Sequence, residues 1–327
     1  MGRVQRVMVI GAGTMGHSIA LVFARGGYEV DLMDEKEEAL DRGLGLIRAS
    51  LRILKEARAL AGRPLPEIMA RIHPTTSLDP AGRADLVIEA ISENPKAKRR
   101  LFQTLDRLCP GRTIFASNTS YLNLFRLAKG IRPQKMVICH FYAPAHLIPL
   151  VDLVKGPQTS AGTVETVKEI LLKLGKVPVV MNRFIPGYIV NRLQRAMARE
   201  IFFLLDNGYA TAEEIDRAVK NSLGIRIPVL GVVQRYDFTG LDLALTFEQN
   251  PSIRLVSRDR IPRTLSQLVK KGHVGIKSGR GFYDYSSKGL EAILKERDRK
   301  LLKVKAFLEE LNRSSPLSPR FQGRGVG

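Results

Sequence analysis

Val7-Met8-Val9-Ile10-Gly11-Ala12-Gly13-Thr14-Met15-Gly16 decides the reading of this chain. An apolar run too short for a helix stops at a glycine-spaced turn. It gives way to Ile19, Ala20, Val22 and Phe23, which recur at helical spacing. That order predicts a buried strand, a tight turn and a helix. A second strand is expected over 28–34, after Gly26-Gly27, and it ends on Asp34, eighteen residues past Gly16. Glycines at 11, 13 and 16 permit the turn and a close backbone approach. The helix start offers N–H groups to a pyrophosphate, and a carboxylate at 34 accepts from ribose hydroxyls. An anionic Asp34 repels a 2′-phosphate, so the expected dinucleotide is NAD rather than NADP, with Lys36 two residues on as the one nearby counter-charge. The plainer alternative is a glycine turn that holds no ligand.

Outward from this unit, 85–91, 113–117 and 136–141 each show a short apolar run followed by a loop or a helical stretch. Repeated alternation of this kind predicts a mostly parallel sheet covered by helices. Between the second strand and Asp85 come a helical segment over 37–60, a loop with Pro64 and Pro66, and a helix-like stretch over 67–72. This exceeds a standard crossover, so the helices are expected to project as an arm. Asn182-Arg183-Phe184-Ile185-Pro186-Gly187 marks a change of pattern, after which the spacing is helical. Thr211 followed by Glu214 reads as a capping box. A lysine-rich amphipathic helix is expected over 290–311 and a frayed tail over 313–327. The expected domains are therefore 1–186, an all-helical 187–286, and 287–327 as helix and tail.

The chain has 327 residues, 44% of them hydrophobic, which excludes intrinsic disorder and allows two domains. Its net charge of +20 is spread along the whole length. There is no zinc-finger spacing, RNP-like aromatic segment or basic heptad region, so no nucleic-acid partner is expected, only a basic surface that attracts polyanionic small molecules. Cys109 and Cys139 belong to no CxxC or Cys/His cluster. Neither a disulfide framework nor a metal site follows, and a cytoplasmic setting is expected. The uncharged run over 7–24 is broken by three glycines and followed by no cleavage motif, so it reads as neither a signal peptide nor a membrane span.

His140 emerges where an apolar strand ends, the position at which open α/β sheets collect ligands. Asp152 interrupts the apolar run over 149–154 twelve residues later. A carboxylate on one imidazole nitrogen fixes the tautomer and raises basicity at the other, as removal of a hydroxyl proton during hydride loss requires. Taken alone, such a histidine is more often a satisfied structural residue.

From Arg6 to Tyr285 the chain resembles the L-3-hydroxyacyl-CoA dehydrogenases and their relatives. The resemblance is carried by Val9-Ile10-Gly11-Ala12-Gly13-Thr14-Met15-Gly16, Asp85-Leu86-Val87-Ile88-Glu89-Ala90, Ser117-Asn118-Thr119-Ser120, His140-Phe141, Pro186-Gly187-Tyr188-Ile189-Val190-Asn191-Arg192-Leu193 and Gly279-Arg280-Gly281-Phe282-Tyr283. It implies an α/β Rossmann-type domain with a projecting helical arm, followed by an all-helical second domain. It also implies His140 as general base, with Ser120 and Asn191 donating hydrogen bonds to the reacting oxygen. The family's glutamate partner of the histidine falls on Asp152, one methylene shorter. Implied cofactor contacts are Gly11, Gly13, Thr14, Met15, Gly16, Asp34, Glu93, Lys98, Asn118 and Lys277. Asn191 would come from the helical domain, so the active site is expected in a cleft that closure assembles. A homodimer through that domain is also implied.

Coenzyme A is the family's usual substrate handle. Ser50 matches its coenzyme-binding serine, but the lysine expected seven residues later is Ala57, flanked by Lys55, Glu56 and Arg58. Ala143 replaces the usual asparagine, and His146 stands where an apolar or tyrosyl residue is common. Arg226 and Arg235 interrupt a segment that is normally apolar, and either would suit a substrate carboxylate. Segments 148–151 and 191–194 resemble relatives that oxidise free 3-hydroxy acids such as gulonate or carnitine. The leading expectation is NAD-dependent oxidation of a 3-hydroxyacyl-CoA to the 3-oxoacyl-CoA. A dehydrogenase of a free 3-hydroxy carboxylate is the alternative, and a non-catalytic NAD-binding protein like the crystallin relatives is the third.

Overall fold

The opening strand, turn and helix fall where the glycines put them. β1 (Arg6–Ile10) is buried from Val7 onward, and α1 (Gly16–Arg25) begins on the third glycine of the motif. The computed structural model describes residues 4–60, 62–252, 255 and 261–314. The chain divides into two compact units, Met1–Val190 and Asn191–Gly327.

In the first unit the elements after α1 are β2 (Glu29–Met33), α2 (Glu37–Glu56), α3 (Leu65–Ala70), β3 (Ile72–Thr75), β4 (Leu86–Glu89), α4 (Pro95–Leu108), β5 (Ile114–Ser117), α5 (Leu124–Leu127), β6 (Met136–Phe141), β7 (Leu150–Lys155), α6 (Ala161–Lys173) and β8 (Val177–Met181). The strands form one eight-stranded sheet ordered β3-β2-β1-β4-β5-β6-β7-β8. All neighbours are parallel except β6 and β7, which run antiparallel. Order reverses beside β1, and there the carboxyl ends of β1 and β4 leave a crevice of the kind that binds dinucleotides.

Alternation along the strands sends side chains to opposite faces. Met8, Val87, Phe115 and Ile138 share one core with Phe102 and Leu105 of α4. On the other side Val9 lies beside α1. The segment expected to form the arm packs against α1, burying Ile47, Leu51 and Leu54 of α2 and Ile68 of α3.

Two strands depart from the sequence reading. Residues 67–72 were expected to be helical, but the helix ends at Ala70 and β3 starts at Ile72. Residues 177–181 were given no strand and form β8. Each carries a proline, and each lies at an edge of the sheet, where a missing N–H costs no ladder bond.

The second unit is helical: α7 (Val190–Asp206), whose first residue closes the first unit, then α8 (Ala212–Lys220), α9 (Leu223–Leu230), α10 (Gln234–Thr239), α11 (Leu241–Glu248), α12 (Arg263–Lys270) and α13 (Leu290–Ser314). The capping box at Thr211 forms, its hydroxyl accepting from the Glu214 amide while Glu214 accepts from the Thr211 amide. α13 runs three residues beyond the expected 311. The expected tail lies outside the described residues from 315 onward. Among the described residues no helix is long and apolar enough to cross a membrane, and no group of three or more His, Cys, Asp or Glu suits a metal.

Candidate active site

The glycine turn is built for close approach. Gly11 has φ of +100°, and a Cβ there would stand 2.7 Å from the carbonyl oxygen of Ala90. At Gly16 a Cβ would overlap the Gly11 carbonyl oxygen, so helix and turn cannot pack this tightly around any side chain. Gly13 differs: a Cβ there meets nothing within 4 Å, so its bare backbone faces open space. α1 starts without a side-chain cap, which leaves its first amides for an anion. His17 Nδ1 reaches back to the Gly13 carbonyl at 2.7 Å and fixes the turn. Asp34, at the end of β2, accepts from the Ala12 amide (2.9 Å) and the Lys36 amide (3.2 Å), which ties the acid to the glycine turn. These residues fit a dinucleotide: an open glycine cradle, uncapped amides and a fixed carboxylate.

At the same edge of the sheet, β5 and β6 deliver Ser120 and His140. The antiparallel β6–β7 pair sets His140 directly opposite Asp152, so a short acid reaches the imidazole across one strand spacing. His140 Nδ1 lies 3.3 Å from Asp152 Oδ2, and both side chains are buried. A carboxylate only accepts, so Nδ1 carries the proton and Nε2 is left as the basic nitrogen. Nε2 is 3.2 Å from Ser120 Oγ. Tyr142 donates to the same Asp152 Oδ2 at 2.7 Å, its ring edge-on to the imidazole at 4.6 Å. Tyr188 closes the other side, 5.0 Å from the imidazole and fully buried. Its hydroxyl donates to the Thr119 carbonyl at 2.6 Å. Burial pushes the Tyr142 and Tyr188 phenols well above the ordinary tyrosine value, so both remain donors.

A buried ionic network supports this row. Lys98 is 2% exposed and Glu89 0%, with Lys98 Nζ 2.5 Å from Glu89 Oε1 and 3.2 Å from Glu93 Oε2. Ser117 donates to Glu89 at 2.5 Å and the Ile91 amide at 2.8 Å. Burial pushes the Glu89 carboxyl upward, and Lys98 pulls it back. Glu93 accepts from the Ser120 amide at 2.6 Å and from Thr119 Oγ1 at 2.8 Å, which positions the serine. Asn118 accepts from the Phe141 amide at 2.8 Å and joins β5 to the strand that carries the histidine. Of the expected cofactor contacts, Lys98 is thus no solvated residue: its ammonium is taken up by two glutamates.

His146 is buried, its Nδ1 2.8 Å from Ser18 Oγ and its amide donating to the same oxygen at 3.1 Å, which ties α1 to the loop after β6. Ser50 is buried on the inner face of α2. In the second unit Asn191 stands in the first turn of α7 and Lys277 in an exposed turn. Arg226 donates to Ser222 Oγ at 2.8 Å on α9, and the Arg235 guanidinium lies 4.4 Å over the Tyr236 ring. The sequence reading missed Tyr142 and Tyr188 as neighbours of the imidazole. Tyr142, two residues beyond His140 and so on the same side of an extended chain, carried a usable signal.

Known proteins match both halves of the chain. The NAD binding domain of 3-hydroxyacyl-CoA dehydrogenase matches residues 6–184, and the C-terminal domain of the same family matches residues 187–285. A probable 3-hydroxybutyryl-CoA dehydrogenase of Bacillus subtilis is 38% identical over 87% of this chain and 99% of its own length. Among solved structures, a 5-formyl-3-hydroxy-2-methylpyridine 4-carboxylic acid 5-dehydrogenase, described as an NAD+-dependent dismutase, superposes with a TM-score of 0.85 at 31% identity, over 94% of this chain and 99% of that one. The (S)-3-hydroxybutyryl-CoA dehydrogenase of Ralstonia eutropha gives a TM-score of 0.68 at 31% identity, over 86% of this chain and 99% of that one. With both halves matched in order and the glycine cradle and histidine row in place, the chain belongs to the 3-hydroxyacyl-CoA dehydrogenase family, a family of NAD-dependent oxidoreductases.

Proposed function

We propose that the chain oxidises a 3-hydroxyacyl-CoA to the 3-oxoacyl-CoA, reversibly, with His140 as general base. The observation that carries this reading is the unbroken row from Ser120 Oγ through the imidazole to Asp152, at 3.2 Å and 3.3 Å. NAD, when bound in the glycine cradle, supplies the hydride acceptor. Nε2 takes the proton from the 3-hydroxyl, and in reverse the imidazolium returns it. Asp152 holds the charged imidazolium as the hydroxyl proton arrives. Ser120 and Asn191 donate to the oxygen that becomes the carbonyl and keep the substrate in register. Gly11, Gly13, Thr14, Met15, Gly16 and Asp34 hold the dinucleotide, with Asn118 and Lys277 as further contacts. Glu93 sets Ser120 in place, and Lys98 acts through Glu93.

A free 3-hydroxy carboxylate is the second reading. It is favoured by Ala57 at the expected coenzyme-binding lysine, by the burial of Ser50, and by the TM-score of 0.85 to a dehydrogenase of a pyridine carboxylic acid. In this reading Arg226 or Arg235 meets the substrate carboxylate. NADH oxidation measured with acetoacetyl-CoA and with free 3-oxo acids decides between them. Turnover of acetoacetyl-CoA alone supports the first reading, and turnover of free acids alone replaces it with the second. No turnover of either, with NADH still bound, leaves the non-catalytic reading.

We assign the cofactor to residues 1–186, and substrate and assembly to 187–286. We place a second copy of the chain on the second unit, where Ile225, Val229, Phe238, Leu241, Leu245 and Phe247 are between 45% and 65% exposed. Light scattering should return twice the chain mass, and a monomer removes the proposal. Both cysteines are free, which suits a reducing, cytoplasmic setting.

A further inference from the structure

Asp152 is one methylene shorter than the family's glutamate, and its Oδ2 stands 3.3 Å from His140 Nδ1, beyond the usual range for N–H···O. The pairing of β6 with β7 fixes both backbones, so the carboxylate cannot close the gap by sliding. Rotation about its own side-chain bonds remains open to it, and a rotated carboxylate would leave Nδ1 without its acceptor. Tyr142 opposes that rotation. Its hydroxyl donates to the same Oδ2 at 2.7 Å, and its ring is braced edge-on against the imidazole at 79°.

We infer that Tyr142 is a positioning residue, which pins Asp152 Oδ2 toward Nδ1 and so keeps Nε2 of His140 the proton-accepting nitrogen despite the shortened acid. The inference rests on His140 being the base. The Tyr142 hydroxyl stays protonated because burial and the charge of Asp152 both push its ionisation upward, so the donor persists through the working pH range. Among the described residues no other hydroxyl donates to that carboxylate oxygen. Tyr188, the other aromatic neighbour, spends its hydroxyl on the Thr119 carbonyl and cannot substitute.

Tyr142→Phe keeps the ring and removes only the donor. It should lower kcat by about 10-fold, the scale of one hydrogen bond to a charged group, with NADH affinity unchanged and the chain still folded. The decisive comparison is the same change in two altered backgrounds, measured by single-turnover NADH oxidation. In Asp152→Asn, where the carboxylate is already gone, Tyr142→Phe should cost less than about twofold more. In Asp152→Glu, whose longer side chain reaches Nδ1 unaided, it should cost less than in the parent. Parental kcat in Tyr142→Phe overturns the inference, and so does an equal loss in all three backgrounds, which would mean that the hydroxyl touches substrate. His140→Ala is run alongside. An active His140→Ala enzyme removes the general-base reading itself, whereas an inactive one beside an unaffected Tyr142→Phe removes the inference alone.

Discussion

Replacing Lys98 with methionine keeps the length of the side chain and deletes its charge, leaving Glu89, fully buried, without its cation. Two of the carboxylate's partners stay, Ser117 and the Ile91 amide, but the 2.5 Å ammonium contact is lost. Removing one half of a buried ion pair costs about 3–5 kcal/mol, because the remaining charge cannot be resolvated. For a unit of this size about 2–4 °C is lost per kcal/mol, so melting of the first unit should fall by roughly 6–20 °C. The loss should also depend on pH. Burial already raises Glu89 above its value in the unfolded chain. Within the window between those two values the folded state holds the proton that the unfolded state has released, so stability falls as pH rises. Without Lys98 the folded value climbs and the window widens upward. Melts of Lys98→Met followed by circular dichroism from pH 5 to pH 8 should therefore diverge from the parent most at the alkaline end. Glu89→Gln added to Lys98→Met removes the stranded charge and should restore most of the loss. A Lys98→Met protein that melts within about 2 °C of the parent at every pH would refute the reasoning.

Three further outcomes follow from the same geometry. Gly16→Ala, with a Cβ aimed into the Gly11 carbonyl, should destabilise the first unit severely in a urea titration. Gly13→Val points into open space and should leave the urea midpoint near the parent's while weakening NADH binding by about 10-fold or more, read by fluorescence titration. Ser18→Ala removes both bonds to His146 and should cost about 1–3 kcal/mol of unfolding free energy, with little change in NADH affinity.

How far the sequence revealed this protein depended on whether the deciding contact was local. Val7 to Gly16 carries its own strand, turn and helix start, and Asp34 follows at the spacing a second strand requires. The pairing of His140 with Asp152 was suggested by a lone acid in an apolar run and by the resemblance, but the antiparallel register that sets the two opposite was not legible. Nor were β3 and β8. Pro74 and Pro178 mark them as non-strand by local preference, and only an edge position, which no local pattern announces, makes a proline harmless there. Lys98 was expected, by resemblance, to be a cofactor contact. Its burial against Glu89 and Glu93 depends on where β4 and α4 meet, a tertiary matter. Tyr188 is hidden for a similar reason: its φ of +50° and its place beside the imidazole come from the turn after β8, far from His140 in sequence.

The most direct test of the account is the rate of NADH oxidation by His140→Ala in a single turnover with the preferred 3-oxo substrate. A general base and acid contributes about 10²–10⁴-fold, so the rate should drop by that factor while NADH binds as tightly as to the parent. A rate within a few-fold of the parent's would contradict the role given to this imidazole.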